Sequence, residues 1–402
     1  MSKKVVLSTV VLALSVGAGV AVSAETPLTT KEMLGRKIFF DQSLSLNNNQ
    51  SCATCHGPSA GWTGPDTAIN QAGAVYEGSI PGAFGDRKPP SSAYATQSPI
   101  LHVDAKGVFV GGNFWDGRAT GERLGSPAAE QALGPFLNPK EQALPSAAEV
   151  VTRVCASGYV DLFKEVWGAD ICDTANVARA YDSIGYSIAA YEASPAVNAF
   201  TSKYDYSLLP GKIKLRQEER RGLALFQTKG KCAKCHTSDG RAPLFTDYTY
   251  DNLGIPKNPE NPATIADATW ADPGLGGYLA SLPEDAPFRA YAEANMGKHK
   301  VPTLRNVDLR PSLEGVPVEK AYGHNGYFKT LEGIVHFYNT RDVLPTCAGN
   351  FTEAEAMAAD CWPAPEVDAN LNTSELGNLG LNPAEEAAIV AFLKTLSDGY
   401  TP

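Results

Sequence analysis

Cys52-Ala-Thr-Cys55-His56 and Cys232-Ala-Lys-Cys235-His236 repeat one spacing, and that spacing has a chemical use. Two thiols separated by two residues can add to the two vinyl groups of one porphyrin, and the adjoining His then reaches the iron. A lone Cys-x-x-Cys is also a redox disulfide or half of a zinc site. A His directly after the second Cys, twice in one chain, favours two covalently attached c-type haems. Cys52, Cys55, Cys232 and Cys235 are then the attachment points, and His56 and His236 the first iron ligands.

These motifs need elements to hold them. Gly35-Arg-Lys-Ile-Phe39 precedes the first motif and Gly222-Leu-Ala-Leu-Phe226 the second, each in a segment of helical periodicity, Thr30–Phe40 and Gln217–Gln227. Each half closes with another helix. Val177–Glu192 carries Ala180, Ile184, Ile188 and Tyr191 on one face; Asn382–Leu396 opens with Asn382 as cap and Pro383 at the first helical position. A helix before the haem and a helix closing the unit predict a mainly α fold: two cytochrome c-like domains, 25–205 and 206–402, joined near Ser194–Leu215. Strands are few. The Gly/Pro-rich stretches Gly57–Pro99 and Asp247–Pro287 read as long ordered loops wrapped around the haems. The acid-rich tract Glu353–Asp360 reads as a solvated helix.

Lys3 and Lys4, an apolar run from Val5 to Val22 and the small residues Ser23-Ala24 resemble a cleaved export signal over residues 1–24; an uncleaved anchor is the rival reading. Loss of the leader would take the net charge from −10 to −12, since it removes two of 34 basic residues and none of 44 acidic ones. An acidic chain speaks against nucleic-acid binding and allows steering of a basic protein partner. Four of the eight cysteines remain after haem attachment. In an exported chain the short loops favour disulfides Cys155–Cys172 and Cys347–Cys361, although spacing leaves the connectivity open. Haem attachment and disulfides both point to the periplasm, with no membrane span after signal removal.

Phe114-Trp115-Asp116-Gly117-Arg118, Glu130-Gln131-Ala132 with Pro135, Asn138-Pro139 with Glu141, Lys300-Val-Pro-Thr-Leu-Arg-Asn306 and His324-Asn-Gly326 with Thr330-Leu-Glu332 together resemble the bacterial diheme cytochrome c peroxidases and MauG-type enzymes, over essentially the whole mature chain. The resemblance implies hydrogen peroxide as substrate. It implies Glu141 as acid–base group, Gln131 orienting peroxide or water, Pro135 restricting access to the haem face and Trp115 as an oxidisable relay between haems. By composition alone Glu141 reads as a helix-start acid and Trp115 as a core aromatic. Thr120–Pro127 lengthens the stretch between Trp115 and Gln131.

Axial ligands divide the family. Typical members close the first iron with a second His in the loop after the first motif; here no His stands between His56 and His102. An open first iron is expected. Fourteen residues after His324, where peroxidases carry a Met ligand, stands Tyr338, as in the MauG-type pattern. A phenolate stabilises oxidised iron better than a thioether does. Tyr338 also fits a plain core face with Leu331, Ile334 and Val335, and Met296, His299 and His336 are rival ligands. The family's calcium ion uses an Asn near the segment here reading Arg87-Lys88-Pro89-Pro90. No Asn stands there, and Arg310–Lys320 is an insertion near its other ligands, so calcium lacks support. The implied reaction uses both oxidising equivalents of peroxide, drawn either from a protein substrate or from a small redox protein. A non-enzymatic diheme electron carrier ranks third. Trp167, Trp270 and Trp362 could be surface exits, although each reads better as a partly buried packing residue.

Overall fold

The computed structural model describes residues 27–308 and 318–402. The expected export signal lies outside these residues, as does most of the Arg310–Lys320 insertion.

Six helices position the site: α1 (Thr30–Phe39), α2 (Pro127–Leu137), α3 (Val177–Ala193), α4 (Gln217–Gln227), α5 (Leu331–Thr340) and α6 (Pro383–Leu393). Their starts follow from local sequence. Thr29 and Glu32 form a reciprocal capping box at α1, and Asn382 and Glu385 do the same at α6. Ser126 caps α2, with Pro127 in the first turn where no amide donor is needed. Strands are confined, among the described residues, to two short antiparallel pairs: β1 (His102–Val103) with β2 (Phe109–Val110), and β3 (Tyr250–Asp251) with β4 (His299–Lys300). The fold is mainly α and cytochrome c-like, as expected.

The repeat before each haem motif has a packing cause. α1 crosses α3 so closely that a Cβ at Gly35 would stand 1.8 Å from the carbonyl oxygen of Ser187; α4 crosses α6 with Gly222 at the same 1.8 Å from that of Ala388. Only glycine lets the backbones meet there. The Phe four residues later seals each crossing. Phe39 lies 5.5 Å from Tyr191 and Phe226 lies 5.2 Å from Phe392, ring centre to ring centre. Both are fully buried, worth roughly 1.5–3 kcal/mol each. One apolar core gathers around α1 and α3, a second around α4 and α6.

The loops are ordered by polar ties. Ser79 accepts from the Asn47 amide (2.9 Å) and its own N–H reaches Glu141 O (2.6 Å), while Lys88 N–H donates to His324 O (2.8 Å). Arg305, buried, forks onto Asp205 at 2.8 Å and 2.8 Å, and Asn306 donates to Asp398 at 3.1 Å. The Lys300–Asn306 motif is thus in part a tie between the halves. Both expected disulfides form, with Cα separations of 5.8 Å for Cys155–Cys172 and 5.1 Å for Cys347–Cys361. One expectation changes. Helix Glu353–Ala358 is not a solvated one throughout, because Glu353 is buried and accepts from Thr330 Oγ1 at 2.7 Å. Trp362 is no surface exit: it is 3% exposed in an aromatic core.

Candidate active site

Each Cys-x-x-Cys-His segment opens onto a cavity. Cys52, Cys55 and His56 line one wall together with Gln131, Pro135, Glu141 and Glu192; a second hollow runs from His56 and Gln131 to Trp115 and Lys300. Cys232, Cys235 and His236 line the other main cavity, of about 220 Å³, with Tyr338, Trp115, His299 and His324. The four thiols are unpaired.

The two histidines are oriented alike. Nδ1 of His236 lies 2.8 Å from the Phe245 carbonyl and Nδ1 of His56 lies 3.3 Å from that of Trp62. A carbonyl only accepts, so Nδ1 carries the proton and Nε2 keeps a lone pair for a metal. Burial holds both rings neutral, lowering His236 and taking His56 down to about 4. Unpaired thiols, the correct tautomer and an adjacent cavity fit a covalently held haem at both places.

At the first cavity α2 carries Gln131 and Pro135, while Glu141 follows on the turn after Asn138 and accepts from Asn138 Nδ2 at 3.1 Å. Burial pushes the Glu141 carboxyl up, against the pull of Arg118 and Asn138, which suits a group that must hold a proton and give it away. Glu192 was not foreseen. It is 3% exposed on α3 and burial pushes it up to about 8. A signal existed: it stands four residues after Ile188 and eight after Ile184, on the apolar stripe where a carboxylate is costly. No second His and no Met lines this cavity among the described residues. His102 sits on the exposed β1, its Nδ1 2.8 Å from the Ile100 carbonyl.

At the second cavity α5, capped by Thr330, brings Tyr338 into the same lining as His236. Burial pushes its phenol up, so the anionic form requires a cation beside it. Of its rivals, Met296 packs on Gly276 outside the lining, and His336 pairs with Glu386 at 3.1 Å. His299 does line the cavity.

Trp115 belongs to both cavities. Its Nε1–H donates to the Lys88 carbonyl at 2.8 Å and its own carbonyl accepts from Lys300 N at 2.8 Å. Asp116 beside it holds Arg87 and Arg118 at 2.5 Å and 2.7 Å. Two lysines flank it, Lys88 buried and Lys300 half-buried: loss of solvent takes Lys88 down to about 8 and Lys300 to about 7. In the Arg87–Pro90 segment Arg87 is held by Asp116 and Asp272, and Lys88 Nζ donates to Thr63 and to the Pro89 carbonyl, so nothing in this segment adds support for calcium.

A mainly helical chain with two cytochrome c-like cavities, each edged by a Cys-x-x-Cys-His segment, defines a diheme c-type protein. The profile of the di-haem cytochrome c peroxidases matches residues 29–212. The methylamine utilization protein MauG of Paracoccus denitrificans is 35% identical over 388 residues, covering 95% of this chain and 92% of that one. Cytochrome-c peroxidase IdrP1 of Denitromonas iodatirespirans is 28% identical, covering 94% and 84%. Among solved structures, the diheme peroxidase BthA of Burkholderia thailandensis superposes with a TM-score of 0.74 at 30% identity, covering 93% and 87%. The chain belongs to the di-haem cytochrome c peroxidase and MauG family and is a haem-dependent peroxidase with two c-type haems.

Proposed function

We propose that this peroxidase acts in the periplasm in the MauG manner, opening peroxide at the site of His56 and drawing the oxidising equivalents from a protein docked outside. One observation carries the choice: Tyr338 faces the His236 cavity, whereas the described residues around His56 offer no second His or Met. The domains on this reading are 25–205 with the peroxide site and 206–402 with the electron-transfer site. An export signal at 1–24 and the disulfides support the compartment.

Bound haem supplies iron at which a peroxide O–O bond can break. The rest is the chain's work. Glu141 takes the proton from the near oxygen and returns one to the departing oxygen, and its raised carboxyl suits that double duty. Gln131 orients the peroxide by hydrogen bonds, and Pro135 narrows the approach. Trp115 relays electrons between the two cavities. Its N–H faces a backbone carbonyl, a very weak base, so the indole passes an electron while keeping its proton. Tyr338, in the same lining as His236, would be the second residue to hold the iron there.

The alternative end use is peroxide removal with electrons from a small cytochrome c or cupredoxin, favoured by the resemblance to cytochrome-c peroxidases. Stoichiometric peroxide added to the fully ferric, diheme-loaded protein without reductant separates the readings. Loss of both ferric EPR signals and a long-lived oxidised state is expected. No reaction until one haem is reduced would overturn the open first site.

A further inference from the structure

Beside the second cavity two histidines stack face to face. The rings of His299 and His324 lie 3.6 Å apart, centre to centre, at 10°. Each has its own carboxylate: His324 Nε2 is 2.8 Å from Glu366 Oε2, and His299 Nε2 is 3.3 Å from Asp272 Oδ2. The second approach lacks hydrogen-bond alignment, which leaves a buried His299 Nε2 unsatisfied. Glu366 also accepts from Asp272 N–H (3.0 Å) and Asn325 Nδ2 (3.1 Å), so the two dyads form one buried network.

The cluster invites a metal reading, since Asp272, His299 and His324 offer donor atoms within 4.8 Å of one another. Geometry argues against it. Arg87 grips both Asp272 oxygens, at 2.6 Å and 2.7 Å, and the in-plane lone pairs of parallel rings run side by side instead of converging.

The protonation of His299 follows from its neighbours. Nδ1 of His299 faces the Gly297 carbonyl at 3.1 Å and therefore carries its proton. A second proton on Nε2 would set a positive ring 3.3 Å from the Asp272 carboxylate, and its absence leaves a lone pair there instead. Burial and the neighbouring His324 lower the ring's hold on that proton, while Asp272 raises it. Asp272 itself stays ionised: burial pushes its carboxyl up, but His299 and Arg87 outweigh that and hold it well below its usual range. Arg87 is shared with Asp116. Asp251 pairs with His299 across β3 and β4, and Lys298 and Lys300 flank it. The backbone of Lys88 links His324 to Trp115, accepting from the indole and donating to the His324 carbonyl.

We propose that the stacked His299–His324 pair is the redox-linked proton site of the second haem, binding one proton when an electron enters that site and releasing it when the electron is withdrawn. The proposal rests on the His236 cavity as the seat of that haem. The balance is simple. Oxidation removes one electron from the haem and its ligands, and one proton leaves His299 Nε2, so the buried charge is unchanged. Peroxide is the oxidant and the external donor returns the electron. The indole cannot discharge its proton onto a carbonyl, and the pair supplies the proton exchange that Trp115 lacks.

The test is a spectroelectrochemical titration of the diheme holoprotein from about pH 5 to about pH 9, each haem followed by its own spectrum. The second haem's equilibrium constant for reduction should fall up to tenfold per pH unit across the pair's titration, which is 59 mV per unit for one electron. His299→Asn, which keeps an amide donor for Gly297, should flatten that slope. Indicator dye should detect about one proton released per electron withdrawn in the unaltered protein. A flat slope in the unaltered protein, a slope that survives His299→Asn, or a tightly bound divalent ion lost with that change would each overturn the proposal. Failure of the haem reading is separate: it would appear as fewer than two haems per chain in a pyridine haemochrome assay.

Discussion

The two haem cavities start from the same local plan and end with different chemistry. Around His56 stand two carboxyls pushed toward the protonated form, the half-buried Glu141 and the buried Glu192. Around His236 the lining adds a phenol and two imidazoles, Tyr338, His299 and His324, to the carboxylates Asp251 and Glu375. The paired crossings do not explain the difference, because Gly35 and Gly222 pack alike. It lies in which side chains face each cavity: Glu192 from α3 and Glu141 just after α2 at the first, Tyr338 from α5 and His299 from β4 at the second.

The comparison breaks most sharply at Glu141. Glu141→Gln should slow the reaction with peroxide by about 10²–10⁴-fold while the second haem's spectrum stays unchanged, measured by stopped-flow on the ferric protein. Tyr338→Phe should do the converse, altering the second haem's spectrum and potential and leaving peroxide binding at the first site intact. An unchanged second spectrum would remove Tyr338 as ligand.

The shared scaffold can be tested at its glycines. Gly35→Ala and Gly222→Ala should each destabilise by about 1–3 kcal/mol or more, because each new Cβ meets a carbonyl that cannot move freely. Similar losses in calorimetry would sharpen the view of equivalent crossings; a neutral result at either glycine would break it.

The subtlest effect concerns Glu192. Its carboxyl is raised from 4.5 to about 8 by burial, so the folded chain holds a proton that the unfolded chain sheds. The stability it lends is complete below about pH 4.5 and is lost as pH rises through about 8. The slope reaches at most about 1.4 kcal/mol per pH unit. Glu192→Gln should flatten that segment of the stability profile in denaturant titrations, and an unaltered profile would mean Glu192 is solvated or paired in the loaded protein.

Much of this was legible early. Asn382 announces its helix because a cap bonds within three residues; Thr29 and Ser126 carry the same local signal, which the sequence reading did not use. The repeat Gly-x-x-x-Phe marked both crossings without revealing why, since the carbonyls it meets lie some 150 residues further along. The loop of Gly57–Pro99 carried no pattern that could place Lys88 or Arg87, and the packing reading of Trp362 holds without the sequence having named its aromatic neighbours.

The family resemblance supplied the ligand candidate fourteen residues beyond His324; the residue order by itself pointed to what local chemistry can give, two attachment points and two histidines beside them. Those facts need only covalent proximity along the chain. Only the tertiary structure could put Trp115 in both cavities, turn Glu192 into an uncompensated buried acid and stack His299 on His324. Each depends on segments far apart in sequence meeting in a dry interior, where burial and distance govern the charge on every group.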